Sequence, residues 1–238
     1  MTLPVGASQY NPTVIEVDGK HVYTTLEELA RPAHSALIVV DMQHDFCMPG
    51  GALDLQGADI SVYRTIIPKL STLLEAGRGV GILVVYLQMS ALLEGRSDSP
   101  AQIRFNMLAR SNGEGSGQPL RYTIEGSKGQ QFVPALGPKP RDVVVGKHRS
   151  SGFWGTSLDL VLRSNEIQTV IVTGCTTEGC VESTARDALF NDYYVVVVED
   201  CVASDDLEQH TASLLLMRHR FDVAVSTDVM ATWRRPDT

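Results

Sequence analysis

Three residues with complementary chemistry follow short apolar runs in this sequence. Asp41 comes directly after SALIVV, Lys147 directly after DVVVG, and Cys180 six residues after TVIVTG. A thiolate attacks carbonyl carbon, a carboxylate can accept the thiol proton and later activate water, and an ammonium group lowers the pKa of a nearby thiol. If the fold brings them together, these side chains supply the nucleophile, the base and the electrostatic partner for acyl transfer.

The segment before Cys180 supports this hypothesis. GCTTEG must turn sharply from a strand into a helix, which places the thiol at a helix N-terminus. The helix dipole and the unsatisfied N–H groups there favour the thiolate, and a neighbouring Lys147 would depress the thiol pKa further. The backbone N–H groups of the turn could also bind the oxyanion that forms on attack, which contributes about 3 kcal/mol per donor.

Each of the three residues also has an ordinary structural interpretation. An acid at a strand end often caps the next helix, a lysine there is usually solvated, and a cysteine that opens a helix usually packs. Their joint occurrence in this order favours function. We interpret Cys47, Cys175 and Cys201 as packing residues. The chain has no CxxC pair and its six histidines have no ligand spacing, so we expect no metal and no cofactor.

The elements that must position these residues alternate along the chain. Apolar runs predict strands at Ser35–Asp41, Gly81–Gln88, Asp142–Gly146, Thr169–Gly174, Tyr193–Glu199 and Phe221–Ser226. Amphipathic or bounded segments predict helices at Ile60–Ala76, Ala101–Arg110, Thr156–Asn165, Cys180–Phe190 and Asp205–His219. This alternation predicts an α/β three-layer sandwich with a six-stranded, mostly parallel sheet and helices on both faces. Sites in such sheets lie beyond the carboxyl ends of the strands.

Two segments lie outside this regular pattern. Residues 1–34 are predicted to form an N-terminal arm, extended around Tyr10 to Tyr23, which packs on the body or on a neighbour. Residues 35–238 are predicted to form one α/β domain. Within it, residues 89–140 form a long excursion rich in Gly, Ser and Pro, which we expect to contribute to a lid or to an oligomer contact.

Charge and hydropathy restrict the classes of molecule that this protein is expected to bind. A formal net charge of -8 and a pI near 5.2 argue against nucleic-acid binding, which depends on Lys and Arg neutralising phosphates. The sequence has no apolar run of the roughly 18 residues that span a bilayer, and MTLPVGASQYNPTV does not have the pattern of a signal peptide. We therefore expect a cytoplasmic protein with a small-molecule partner and no membrane partner.

Three blocks of the sequence resemble the signatures of isochorismatase-like cysteine hydrolases. They contain D-M-Q from Asp41, K-x-R-x-S-G-F from Lys147, and C-V-x-S-T from Cys180, and the resemblance extends from about Ser35 to Ser226. It implies a sheet in the order 3-2-1-4-5-6 and a catalytic triad of Asp41, Lys147 and Cys180. It also implies an oxyanion hole from the backbone N–H groups of Thr176 and Cys180, a cis peptide bond between Cys175 and Thr176, and assembly as a homo-oligomer, either a dimer or a tetramer.

With Cys180 in place, the chain resembles the amidohydrolase branch of this family, because isochorismatases proper hydrolyse a vinyl ether without that nucleophile. Nicotinamidases carry an Asp-x-His metal motif soon after the second strand, where this chain reads YLQMSALLEGRSD. The chain is more similar to hydrolases of N-carbamoylsarcosine, ureidoacrylate or biuret. The resemblance implies hydrolysis of a non-peptide C–N bond in a linear amide or ureido compound, through a thioester and with release of ammonia. A vinyl-ether hydrolase and a catalytically silent binding protein remain alternatives.

Four residues near the triad are candidates for substrate binding. Phe46 and Trp154 could line the pocket, although aromatic residues near strand ends are more often core. Gln43 could orient the substrate through its amide or only cap a turn. Arg149 could bind a substrate carboxylate through two parallel hydrogen bonds or have a structural role.

Overall fold

A six-stranded parallel sheet forms the centre of the computed structural model, which describes residues 14–109 and 121–234. An N-terminal hairpin contains β1 (Val14–Val17) and β2 (Lys20–Tyr23). The sheet contains β3 (Ser35–Val40), β4 (Leu83–Met89), β5 (Val143–Lys147), β6 (Thr169–Cys175), β7 (Tyr194–Ala203) and β8 (Asp222–Ala224). Its order is β5-β4-β3-β6-β7-β8. Counting only these six strands, the order is 3-2-1-4-5-6, which confirms the predicted fold.

Helices cover both faces of this sheet. In chain order they are α1 (Leu26–Leu29), α2 (His44–Cys47), α3 (Ala52–Leu55), α4 (Ser61–Gly79), α5 (Pro100–Ala109), α6 (Leu158–Ser164), α7 (Glu182–Phe190), α8 (Leu207–Met217) and α9 (Ser226–Trp233). A π-helix at Thr177–Val181 precedes α7, and short 3-10 helices occur at Pro32–His34, Leu93–Gly95, Lys128–Gln130 and Pro134–Leu136. None of the helices in the described ranges combines the length and the apolarity that a membrane crossing requires.

The alternation of side chains along the strands produces two hydrophobic cores. Leu37 and Val39 of β3 belong to the core beneath α4 and α9, whereas Ile38 and Val40 point to the other face, where α6, α7 and α8 contribute. All six residues of β3 are buried. The central strand is therefore fixed from both faces, and its carboxyl end is a rigid support for Asp41.

The C-terminal helix α9 is an element that the sequence analysis missed. We predicted a strand to Ser226, but β8 ends at Ala224 and α9 begins at Ser226. Trp233 of α9 donates a hydrogen bond to the Ala30 carbonyl at 2.7 Å and packs against Gly77 of α4. The helix predicted to end at Ala76 continues to Gly79, and Gly77 within it permits the close approach between α4 and α9.

The described part of the N-terminal arm forms a hairpin instead of a single extended segment. Asp18 and Gly19 both have positive φ and form the turn, as hairpin turns of two residues require. At the end of β2, the Tyr23 N–H donates to the Tyr194 hydroxyl at 3.3 Å, and the Tyr23 ring stacks on His34. The arm therefore packs on the body in this region. Division of the chain at residue 34 stays a prediction, and residues 1–13 lie outside the described ranges.

Candidate functional site

Asp41 lies immediately after β3, with its backbone in the left-handed region at a φ of 49°. Aspartate is among the residues that tolerate this conformation. The Asp41 N–H donates to the Leu87 carbonyl at 3.1 Å, and its carboxylate Oδ1 accepts from the Met89 N–H at 3.1 Å. These bonds to β4 fix a side chain that is only 1% exposed.

Gly174 permits a very close approach between β6 and β3. It is paired with Val40, and a Cβ built on it would lie 2.0 Å from the Val40 carbonyl oxygen. Its φ of 106° also lies in the region that only glycine adopts readily. Beyond this point, the Cys175 thiol donates to the Asp41 carbonyl oxygen at 3.3 Å. This glycine therefore sets the distance between the strand that bears Asp41 and the turn that bears Cys180.

Lys147, the last residue of β5, is completely buried and is directed at both other members of the predicted triad. Its ammonium nitrogen lies 2.7 Å from Asp41 Oδ2 and 3.3 Å from Cys180 Sγ. It also donates to the backbone carbonyls of Arg149 and Ser150, at 3.0 and 3.2 Å. The structure thus brings the three residues together and gives the buried ammonium four close acceptors.

Cys180 lies in the π-helix that connects β6 to α7 and is the one cysteine that is not fully buried. The helix was predicted to begin at Cys180, but α7 begins at Glu182 because the π-helical turn comes first. The peptide bond between Cys175 and Thr176 is cis, as the resemblance implied. Thr176 and Cys180 both line the cavity described below. Oxyanion binding by their backbone N–H groups stays a prediction.

Burial has the largest effect on the pKa values of all three groups. It raises the pKa of the Asp41 carboxyl, and the nearby Lys147 ammonium opposes this shift. Burial works against the charged form of Lys147, but attraction to Asp41 and Cys180 outweighs it, so that the pKa of Lys147 is raised and the ammonium persists. Burial raises the pKa of the Cys180 thiol to about 12, with Lys147 opposing the shift.

The expectation of a depressed thiol pKa at Cys180 is therefore wrong. Removal of water from the site disfavours the thiolate by more than the ammonium of Lys147 stabilises it. The same burial raises the pKa of Asp41, which makes this carboxylate a stronger base than an exposed one. The site is thus arranged for transfer of a proton from the thiol to Asp41 instead of for a permanent thiolate.

A cavity of about 470 Å³ opens above these residues. Asp41 and Cys180 lie in its wall together with side chains from the excursion, and the principal additional lining residues are Phe46, Met89, Phe105, Asn106, Tyr122 and Glu178. This volume falls in the range of about 300 to 1,000 Å³ that is typical of small-molecule sites.

Of the predicted substrate-binding residues, Phe46 lines this cavity and Gln43 does not. Phe46 packs against Tyr122 with ring centroids 5.3 Å apart. Gln43 is fully buried, and its amide N–H groups donate to the carbonyls of Met89 and Gln130 while its oxygen accepts from the Met89 N–H. The prediction for Gln43 is corrected, because its amide connects backbone segments and leaves no donor for a substrate.

Arg149 and Trp154 also lie outside the cavity lining. The Arg149 guanidinium donates to the carbonyls of His148 and Ser97 and lies over the Trp154 ring, 5.9 Å from its centroid. Trp154 is 67% exposed. Both residues line a shallow neighbouring groove that shares Phe105 with the cavity. The backbone carbonyl of Arg149 accepts from Lys147 at 3.0 Å, which is a structural role. Binding of a substrate carboxylate by its guanidinium stays a prediction.

Several residues that line the cavity were missed by the sequence analysis. Asn106 and Tyr122 come from the excursion, where the sequence has no strong period to place them. Glu178 lies in the turn two residues before Cys180, and its charge in that turn was a signal that could have identified it. Gln209, from α8, completes the lining at an exposed position.

The ligands for a metal ion are not assembled within residues 14–109 and 121–234. In these ranges, no three His, Cys, Asp or Glu side chains are grouped so that they could hold an ion. The nearest acidic and basic groups of the site, Asp41 and Lys147, are already paired with each other.

Comparison with known proteins identifies the family. A model of the isochorismatase domain matches residues 35–229. A cysteine hydrolase from Pseudomonas syringae pv. phaseolicola 1448A is 29% identical, with a TM-score of 0.71 over 85% of this chain and 93% of that chain. N-carbamoylsarcosine amidase from Thermoplasma acidophilum is 29% identical, with a TM-score of 0.62 over 81% and 96%. Pyrazinamidase of Pyrococcus horikoshii, solved in complex with zinc, is 30% identical, with a TM-score of 0.64 over 81% and 99%. This chain belongs to the isochorismatase family of hydrolases, which includes cysteine hydrolases and amidases that act on C–N bonds.

Proposed function

We propose that this protein is a cysteine amidohydrolase that cleaves the C–N bond of a small amide or ureido compound and releases ammonia. The observation that carries this proposal is the position of the Lys147 ammonium between Asp41 Oδ2, at 2.7 Å, and Cys180 Sγ, at 3.3 Å, at the base of the cavity. A nucleophile, a base and a fixed positive charge in mutual contact are the parts that acyl transfer requires.

In the first half-reaction, Asp41 accepts the proton of Cys180 as the sulfur attacks the carbonyl carbon. The negative charge that develops on the carbonyl oxygen is bound by the backbone N–H groups of Thr176 and Cys180. Asp41, now a carboxylic acid, protonates the leaving nitrogen, the C–N bond breaks and ammonia departs. The acyl group remains on Cys180 as a thioester, and Lys147 compensates the negative charge of the cluster throughout.

In the second half-reaction, water replaces ammonia in the cavity. Asp41 removes a proton from this water as its oxygen attacks the thioester carbonyl. The C–S bond then breaks, the thiolate recovers the proton from Asp41, and the acid or the carbamate is released. The steps balance without a co-reactant other than water.

An ammonia-release screen tests this proposal. The substrates are primary amides, N-carbamoyl amino acids, ureidoacrylate-like acids and biuret, and ammonia is measured at several enzyme concentrations. We expect turnover of at least one amide or ureido compound, in proportion to the enzyme. Hydrolysis of a vinyl ether with no release of ammonia from any compound would instead indicate the isochorismatase reaction.

The pH dependence of kcat/KM is expected to have an acid limb set by Asp41. The carboxylate must be unprotonated to accept the thiol proton, so the rate falls as the pH falls through the pKa of this group. Because burial raises that pKa, the limb should lie above the ordinary value of 3.8. The measurement is kcat/KM against pH, with circular dichroism at each pH to show that the protein stays folded. An acid limb at or below 3.8 would contradict this assignment of the base.

Removal of divalent ions is expected to leave turnover unchanged. The proposed steps use the thiol, a carboxylate and backbone N–H groups, and the described residues present no group of three ligands for a metal. Ammonia release is measured after exhaustive dialysis against EDTA and a stronger chelator, with metal content read by mass spectrometry. Activity that is lost and then restored by one equivalent of a divalent ion would refute the metal-independent mechanism.

A further inference from the structure

Glu178 carries a carboxylate into the candidate active site. It lies in the π-helix between Thr176 and Cys180, and its side chain lines the same cavity as the nucleophile. Its Oε2 atom is buried and forms no hydrogen bond with the described residues. The mechanism above gives this carboxylate no role.

The charges nearby do not neutralise Glu178. The other acid of the site, Asp41, is buried and already forms an ion pair with Lys147. His210 lies close enough for Glu178 to affect its pKa, but burial lowers that pKa overall, which favours the neutral imidazole. The His210 ring is engaged through Nδ1 with the Thr177 hydroxyl, at 2.8 Å.

The described lining of the cavity therefore has an excess of negative charge. Its two ionisable acids are Asp41 and Glu178, and none of its described members is Lys, Arg or His. A buried carboxylate oxygen without a donor is costly, and a donor supplied by a bound ligand offsets that cost. A substrate that brings a positively charged nitrogen to this position would form a charge-assisted hydrogen bond, whereas a substrate carboxylate would be repelled.

We propose that Glu178 determines the substrate class, and that the substrate carries a protonated amine at the end remote from the scissile carbonyl. This inference rests on the proposed amidohydrolase function and narrows it to cationic amides or ureas. It separates this chain from enzymes for N-carbamoyl amino acids, whose substrates carry a carboxylate at that end. Glu178 would act in binding, and the covalent steps would stay with Asp41 and Cys180.

Three amides of similar length and different charge test the proposal. They are 4-aminobutanamide, which is cationic, pentanamide, which is its neutral isostere, and succinamate, which is anionic. Three N-substituted ureas that carry the same cationic, neutral and anionic substituents are also tested. We expect kcat/KM to be about 10-fold higher for the cationic than for the neutral compound, because the cation forms a charged hydrogen bond. The ratio of the cationic to the anionic compound should be larger still.

The variant Glu178→Gln identifies the residue responsible. We expect it to lower kcat/KM for the cationic amide by about 10- to 100-fold, mainly through KM, and to change the neutral amide by less than about 3-fold. Glu208→Gln is the matched control, because it removes the same charge from an exposed position that does not line the cavity. This control should retain the full preference for the cation.

Binding separates this inference from the proposed function. If the wild-type protein hydrolyses none of the six compounds, their affinities are measured by calorimetry with Cys180→Ala and with Cys180→Ala/Glu178→Gln. A preference for the cationic ligand that disappears with Glu178→Gln supports the role of Glu178 even if the amidohydrolase proposal fails. Equal or weaker affinity for the cation, absence of binding by all six compounds, or a preference that survives Glu178→Gln would overturn it.

Discussion

The variant Cys180→Ala is expected to lose amide hydrolysis by a factor of about 10⁴ or more while remaining folded. Removal of the nucleophile from a covalent mechanism eliminates both half-reactions, and members of a catalytic unit each account for most of the rate. The side chain is small and faces the cavity, so its truncation should disturb packing little. The measurement is ammonia release at saturating substrate, with thermal unfolding recorded for the same preparation.

Cys201→Ala is the matched control for this variant. Cys201 is fully buried in the core and does not line the cavity, so the change should lower the free energy of unfolding and leave kcat nearly unaltered.

An acyl group found on Cys180 by mass spectrometry after rapid quenching would support the thioester directly. Amide turnover that survives in Cys180→Ala would refute the covalent mechanism, and an inactive wild-type protein that still binds ligands would favour a binding function.

Removal of one charge from the Asp41 and Lys147 pair is expected to cost about 3 to 5 kcal/mol of unfolding free energy. Both side chains are at most 1% exposed, so either variant leaves an uncompensated charge in the protein interior. Lys147→Met preserves the length of the side chain, and Asp41→Asn preserves a residue type that tolerates the positive φ at this position. Both single variants should also be inactive.

The double variant Asp41→Asn/Lys147→Met provides the test. Because it contains no buried unpaired charge, we expect it to be more stable than Lys147→Met alone, although it is equally inactive. Urea unfolding at neutral pH measures the free energies of unfolding of the wild type, the two single variants and the double variant. The control is Lys139→Met, which breaks an exposed pair with Glu75 and should cost less than about 1 kcal/mol. Additive losses in the double variant would contradict the predicted coupling.

The proximity of Asp41, Lys147 and Cys180 could be predicted from the sequence because it depends on simple features. Buried apolar runs specify parallel strands, and parallel strands bring their carboxyl ends to one edge of the sheet. Asp41 and Lys147 follow such runs directly, and Cys180 follows one after a short turn. Their proximity also depends on register, which is strongly constrained when the faces of the sheet are buried, and on strand order, which the family resemblance implied.

The remaining details depend on contacts between segments that are distant in sequence. The role of Gln43 could not be decided from the sequence, because its partner, the Gln130 carbonyl, comes from the irregular excursion. The shift in the pKa of Cys180 was predicted in the wrong direction, because the loss of solvent around a thiol depends on the complete packing of the site. The only sequence signal at Glu178 was its charge in the turn before Cys180, and its place in the cavity wall depends on the packing of the excursion and α8 around that turn.

The strand ends near Gly174 and the excursion contribute different parts of the site, and this separation has a consequence for protein engineering. The reactive groups are supported by β3, β5 and the turn after β6, whereas Phe105, Asn106 and Tyr122 belong to the excursion between β4 and β5. Libraries that randomise the excursion should therefore yield folded variants with altered substrate range more often than libraries directed at the strand ends, where a Cβ at Gly174 would collide with Val40. The excursion is consequently the segment to randomise when the substrate range of this hydrolase is to be changed.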